Sequence, residues 1–352
     1  MAHVVIADRT LAYDGRDLAL RPLGGTETSV IHLAEALARR GHEVTCRTHC
    51  GGRMVHRGVT WEPLGSGPAE RCDLLIAVQQ PDLLRSVRRP RRRALWVIWP
   101  PHNLQTGLQP LRLWRYRPQT VLVSASQEAL FGRLLPRGRV RLVIPIGLPD
   151  EVRGREPLAR PPAARAIFAS NPQRNLRWLI ELWGDRILPH VPGAELHIYG
   201  IRDYTFRYEQ SWEENERRLG NFIPPGYPEE AMRSLRPHAP ARREALWDAM
   251  RASRVMLYGG HRAEAFCLSV AEAQALGVPA VVRPIAVLPE RVRDGVTGHV
   301  VDDDAEFAQR AVALLTDDAL WRRQHEAALA LQQGLDWDEV ARTFDERVVS
   351  DG

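Results

Sequence analysis

The chain has 352 residues, of which 44% are hydrophobic and 26% charged. That composition belongs to a folded globular protein, and the length exceeds one ordinary core, so two domains are expected. All 48 basic residues are arginine, and they outnumber 43 acidic ones to give a formal charge of +5. The arginines are not interleaved with aromatics in any recognisable module, so no nucleic-acid partner is expected.

No apolar run is long enough for a membrane span, and the opening residues lack the pattern of a signal peptide. A cytoplasmic location is the expectation, either free or peripheral at the inner face of the membrane. Four cysteines (Cys46, Cys50, Cys72 and Cys267) form no paired Cys-x-x-Cys metal array and read as buried free thiols.

The first half alternates short apolar runs with helical patterns. A strand is expected at 3–7. A helix follows at 26–40, with Val30, Leu33, Ala34 and Leu37 on one face and Gly41 as its stop. Further strands are expected at 43–46, 60–63, 72–77, 95–98, 120–124 and 140–144. Such alternation implies a parallel sheet covered by helices on both faces. Arg85, Arg88, Arg89, Arg91, Arg92 and Arg93 stand before the strand at 95–98. They read either as a solvated loop or as a contact with anionic lipid or an acidic acceptor.

Residues 147–165 are rich in proline and mark an interdomain linker. The domains are accordingly set at 1–150 and 151–335, with a C-terminal helix at 336–352 that can pack back on the first. The second series opens with a strand at 166–169, a helix at 176–187 and a strand at 195–199. The pattern breaks between about 202 and 236, which reads as an insertion, and resumes with a helix at 242–251. Amphipathic helices are expected at 305–315, 319–332 and 336–348.

The most informative stretch runs from Glu264 to Pro279. An apolar strand at 254–258 leads to Gly259 and Gly260, a helix follows, and Gly277 stands where a helix C-terminus favours glycine. Glu264 falls on the loop and Glu272 in the first turns of the helix. A ligand across that helix start could touch both carboxylates and the free backbone N–H groups suited to a phosphate. A competing reading makes Glu272 the partner of Ser269 in a capping box and Glu264 an ordinary surface carboxylate.

Several elements in order resemble the GT-B glycosyltransferases, and more closely the retaining enzymes of glycosyltransferase family 4. Gly24, Gly25 and Thr26 with the helix after them resemble the family's N-terminal glycine loop. Residues 124–127 and 144–147 resemble its strand ends before the linker. Residues 172–176 resemble its basic loop, 264–279 its paired-glutamate signature, and 290–298 the segment beyond. The resemblance implies an α/β fold of GT-B type, two Rossmann-like domains facing a central cleft, with donor on the C-terminal domain and acceptor on the N-terminal one.

It further implies a metal-independent enzyme without a cofactor. The enzyme would move a sugar from a UDP- or GDP-sugar to the hydroxyl of a sugar, lipid-linked or small-molecule acceptor, in glycan, glycolipid or cell-envelope polysaccharide synthesis. Retention would follow from same-face attack, the leaving phosphate taking the acceptor proton. By that resemblance Glu264 contacts donor sugar hydroxyls, and Glu272 accepts from the ribose. The N–H groups of Phe266, Cys267 and Leu268 face the diphosphate or sugar. Arg174 stabilises the leaving phosphate, Gly24 and Gly25 let the chain pass close over the donor, and His102 backs the reaction centre. Trp96, Trp99 and Trp114 are either acceptor-stacking or core residues.

Three positions depart from the family's pattern. Ala265 and Cys267 stand where glycines are usual, and Ser170 or Asn171 where a second basic residue is expected, for which Arg262 is a candidate substitute. A sugar-nucleotide epimerase of the same architecture, or a non-catalytic nucleotide-sugar-binding protein, stays open as an alternative.

Overall fold

A computed structural model describes residues 1–131, 135, 141–200 and 217–349. The chain divides into two compact units, Met1–Gly147 with Leu335–Gly352, and Leu148–Gly334. The division falls at the start of the proline-rich stretch.

In the first unit the described strands are β1 (His3–Ala7), β2 (Glu43–Thr48), β3 (Met54–His56), β4 (Val59–Pro63), β5 (Ala69–Val78), β6 (Val87–Val97), β7 (Gln119–Leu122) and β8 (Arg141–Val143). They lie in the order β3-β4-β2-β1-β5-β6-β7-β8, parallel throughout except for β3. Burial of consecutive residues, Val4, Val5 and Ile6 in β1 and Leu74, Leu75 and Ile76 in β5, whose side chains alternate between the faces, is what a sheet covered on both faces requires. The helix Gly25–Arg39 buries Val30, Leu33, Ala34 and Leu37, the face its periodicity picked out.

The expectation of a loop at 85–93 is corrected. Apart from Arg85, which closes a 3₁₀ turn, these arginines belong to β6, paired with β5 from Ala69 opposite Val87 onward. The two strands run past β1 and β7 as a two-stranded ribbon, with Cys72 and Val87 buried in the core while Glu70, Arg71, Arg88, Arg89 and Arg91 are exposed. Such a ribbon tolerates a charged, non-alternating sequence that a covered strand would not.

The C-terminal helix Trp337–Phe344 packs within the first unit. Asp336 and Glu339 form a capping box at its start. Trp337 stacks on His32 at 5.4 Å, Phe344 meets Trp96 edge-on at 5.6 Å, and Arg39 pairs with Asp338 at 2.6 Å.

The second unit holds β9 (Arg165–Ala169), β10 (Glu195–Tyr199), β11 (Leu235–Pro237), β12 (Val255–Tyr258), β13 (Ala280–Val282) and β14 (Gly298–Val300), all parallel, in the order β11-β10-β9-β12-β13-β14. The expected insertion at 202–236 is corrected in part. Residues 201–216 lie outside the described residues, but the remainder contains the helix Glu229–Ser234 and β11, which extends the sheet. β11 is three residues long and ends in Pro237, which suits only a sheet edge. Trp183 Nε1 donates to Ser234 Oγ at 2.8 Å and Tyr227 Oη to the Ile180 carbonyl at 2.9 Å, fixing this segment on the helix that follows β9.

Candidate functional site

The second sheet reverses its order of growth between β9 and β12. From β9 the chain moves outward through β10 and β11, then returns to lay β12 on the other side. In an open parallel sheet this switch point leaves a crevice outside the strands' carboxyl ends, where ligands bind. Ser170 directly follows β9, and Tyr258 ends β12.

Beyond β9 the chain turns through residues 171–174 into the helix Leu176–Leu182. Asn175 takes a left-handed conformation (φ 65°) at its start and donates to the Gly260 carbonyl at 2.7 Å. That bond ties the loop after β9 to the loop after β12. A Cβ on Gly259 would meet the Trp178 ring at 2.6 Å, so glycine lets the two loops close on each other. Arg174 is thereby brought to Glu264, its Nη1 donating to Oε1 at 2.6 Å.

Glu264 is not a surface carboxylate: it is 2% exposed, and Glu272 1%. The same Oε1 accepts from the Tyr258 hydroxyl, to which Ser170 Oγ donates at 3.2 Å. Burial pulls the Arg174 guanidinium down, but the Glu264 carboxylate and its neighbours more than restore it, and its pKa is raised. Burial, with the Glu264 carboxylate beside it, pushes the Tyr258 hydroxyl up, so it remains a proton donor to Glu264.

Cys267 begins the helix Leu268–Ala275 in the left-handed region at φ 58°. A side chain there is strained by roughly 1 kcal/mol or more, the reason glycine is usual in such a place. The first N–H groups of the helix have no acceptor within it. The capping-box reading does not hold, because Cys267 occupies the N-cap and both Ser269 and Glu272 lie inside the helix. Glu272 instead takes a hydrogen bond from Arg243 at the start of the helix Arg243–Arg251. Burial raises the pKa of Glu272, and the Arg243 charge opposes that rise. Phe266 lies beneath the Arg291 guanidinium at 4.5 Å.

Glu264, Arg174, Phe266, Cys267, Leu268 and Glu272 are thus assembled at one loop-and-helix junction. Arg262 lies exposed in the same loop, with His261. The spacing reading missed Tyr258, Arg243 and Arg291. Tyr258 was legible only as a strand residue, and nothing local marks an arginine that pairs across 29 positions.

Gly24, Gly25 and His102 belong to the first unit. Gly24 is the N-cap of the helix Gly25–Arg39, and the buried carboxylate of Glu27 folds back beside it, so this helix start already carries an anionic group. Trp99 Nε1 donates to Thr26 Oγ1 at 2.9 Å, joining that start to the turn holding Pro101 and His102. His102 is exposed, Trp96 is fully buried, and Trp114 is half exposed.

Two Rossmann-like domains with parallel sheets, and a switch-point site in the second, define the GT-B architecture. Sucrose-phosphate synthase of Thermosynechococcus elongatus superposes with a TM-score of 0.73 at 16% identity, over 98% of both chains. HepE of Anabaena, solved with UDP-glucose, superposes with a TM-score of 0.70 at 13% identity over the full length of each.

Residues 164–317, within the second unit, match the model of the family described as "Glycosyl transferases group 1". A D-inositol 3-phosphate glycosyltransferase of Xylanimonas cellulosilytica is 39% identical over 106 residues, which are 30% of this chain and 25% of that protein. A phosphatidyl-myo-inositol mannosyltransferase of Mycobacterium leprae is 35% identical over 95 residues, 26% of this chain and 25% of that one. The chain thus spans about a quarter of the length of the curated relatives it matches. Among the described residues no helix is long and apolar enough to cross a membrane.

Proposed function

We propose that this protein is a retaining, metal-independent glycosyltransferase that moves a sugar from a UDP- or GDP-sugar to a hydroxyl acceptor in glycan, glycolipid or polysaccharide synthesis. The observation that carries the reading is the junction at the end of β12. Two buried carboxylates, the Arg174 cation and the start of a helix converge there, within the stretch matched to group 1 glycosyltransferases. Glu264 keeps Oε2 for a donor hydroxyl while Arg174 and Tyr258 hold Oε1. Glu272 accepts from the ribose, and the helix start faces the diphosphate. Arg174 stabilises charge on the leaving phosphate, where a fixed cation counts most. That phosphate then takes the acceptor proton.

The relatives are named for inositol-based acceptors, which makes a polyol phosphate or its lipid the first acceptor to try. Arg88, Arg89 and Arg91 on the β5–β6 ribbon would bring the enzyme to an anionic membrane surface carrying such a lipid.

The test is titration of the purified chain with UDP, GDP and their glucose and mannose conjugates, followed by assay for donor hydrolysis and for transfer. Turnover abolished by Glu264→Ala supports the reading. Tight nucleotide-sugar binding without turnover, unchanged by Glu264→Ala, would leave a binding protein in its place.

A further inference from the structure

Arg243 belongs to none of the elements that the resemblance assigned a role. It opens the helix Arg243–Arg251, is largely buried, and donates through Nη1 to Glu272 Oε1. Its Nε is buried without a hydrogen-bond partner. Trp247, one turn along the same helix, acts on the same carboxyl through its indole N–H, although no hydrogen bond of ordinary length forms. A buried carboxylate facing a ribose must stay ionised, because only the ionised form offers both oxygens as acceptors. Burial works against that, and the cation supplied by this second helix works for it.

Other charged groups packed around the helix Leu268–Ala275 are engaged elsewhere. Glu264 is held by Arg174, Glu290 lies 3.6 Å from Arg291 beside Phe266, and His325 is hydrogen-bonded to the Gly277 carbonyl. Cys267 is buried, and its thiol is pushed well up. Arg243 is the cation in position to set the ionisation of Glu272.

We infer that Arg243 is a positioning residue of the nucleotide subsite, holding Glu272 ionised and aiming its free oxygen at the ribose hydroxyls. The inference rests on the nucleotide reading above. It implies that nucleotide affinity depends on Arg243 through Glu272, and increasingly so at lower pH.

Calorimetric titration with UDP and with GDP, from pH 5.5 to 8.5, tests this on the full chain and on Arg243→Met, Arg243→Lys, Glu272→Gln and the double variant Arg243→Met/Glu272→Gln. Dissociation constants are read as ratios to the parent at the same pH, which removes the titration of the nucleotide's own phosphate. Arg243→Met should weaken binding about tenfold near pH 7.5, the scale of one charged hydrogen bond, and by more as pH falls. Arg243→Lys, which keeps the charge and guards against a variant that fails to fold, should show a ratio independent of pH. Adding Arg243→Met to Glu272→Gln should change affinity less than twofold. A loss in Arg243→Met that is the same at every pH and persists in the Glu272→Gln background overturns the inference. So does an Arg243→Met variant that binds like the parent. A parent chain that binds neither UDP nor GDP overturns the nucleotide reading itself and this inference with it.

Discussion

Arg174 and Glu264 are 90 positions apart in the chain and 2.6 Å apart at the carboxyl ends of two adjacent strands. The pair exists because Asn175 and the Gly259–Gly260 turn bring the two loops together, and Tyr258 completes it from beneath. Each member limits the other: the carboxylate holds the guanidinium in place, and one carboxylate oxygen is occupied by it.

Removing the cation should therefore have two separable effects. Arg174→Ala leaves a buried carboxylate facing only a hydroxyl, and a stability loss of about 3 kcal/mol is expected in urea unfolding. Transfer should fall by about two orders of magnitude, mostly in kcat, because the lost interaction strengthens as phosphate charge develops. Arg174→Lys should recover most of the stability and only part of the rate, since an ammonium cannot serve carboxylate and phosphate with one rigid fork. Equal recovery of both would argue against a role at the leaving group.

All four cysteines are buried. Burial pushes the thiols of Cys46 and Cys267 well up, and that of Cys72 up to about 12. Since the thiolate is the reactive form, the folded protein at pH 8 should resist Ellman's reagent under conditions in which the urea-unfolded chain titrates all four. Fast labelling of Cys267 in the folded state would mean that the helix start is open to solvent.

A histidine chain crosses the edge of the second sheet. His197 Nε2 lies 3.0 Å from Glu195 Oε2 and its Nδ1 2.9 Å from His238 Nε2, while His238 stacks on Tyr199 at 4.3 Å. With Glu195 ionised, His197 donates through Nε2 and accepts at Nδ1 from His238, an arrangement that needs the His197 ring neutral. Burial lowers both pKa values, and His238, pressed further by His197 and nearby arginines, drops to about 4. The unfolded chain protonates these rings near 6.5. Between those values the unfolded state binds more protons, so stability should be level above about pH 6.5 and decline as pH falls from there toward 4. Urea midpoints at pH 7.5 and 5.0 measure this, and His238→Gln should flatten the difference.

The β5–β6 ribbon presents Arg71, Arg88, Arg89 and Arg91 to solvent, with Glu70 3.9 Å from both Arg88 and Arg89. Exposed pairs at that distance contribute little, whereas each arginine beside an anionic bilayer contributes about 1 kcal/mol. The parent should co-sediment with phosphatidylglycerol vesicles and not with phosphatidylcholine ones, weakening as salt rises. The triple variant Arg88→Glu/Arg89→Glu/Arg91→Glu should remain in the supernatant while unfolding normally. Persistent binding by that variant would move the membrane contact elsewhere.

The helix Gly25–Arg39, the strand at 3–7 and the loop-to-helix turn before Glu272 were legible because each rests on short-range geometry: a period of 3.6, a run of apolar residues, a glycine where the chain must turn. The same locality explains the errors. A capping box between Ser269 and Glu272 was plausible three residues apart, but the N-cap fell at Cys267, and a helix from elsewhere supplied the true partner. β6 was cut short because charged residues do not look like strand when the sheet around them is assumed to be covered. β11 was lost because three residues ending in proline carry no periodic signal.

By itself, then, the sequence determined the alternation of strands and helices, the parallel two-sheet architecture and the spacing of Glu264 and Glu272. Only the tertiary structure decided that Arg174 meets Glu264, that Arg243 meets Glu272, and that the helix Trp337–Phe344 lies in the first unit rather than the second. Periodicity fixes which face of an element turns inward. Which charged side chains then meet depends on strand order and helix packing, and those relations join residues that no window along the chain contains.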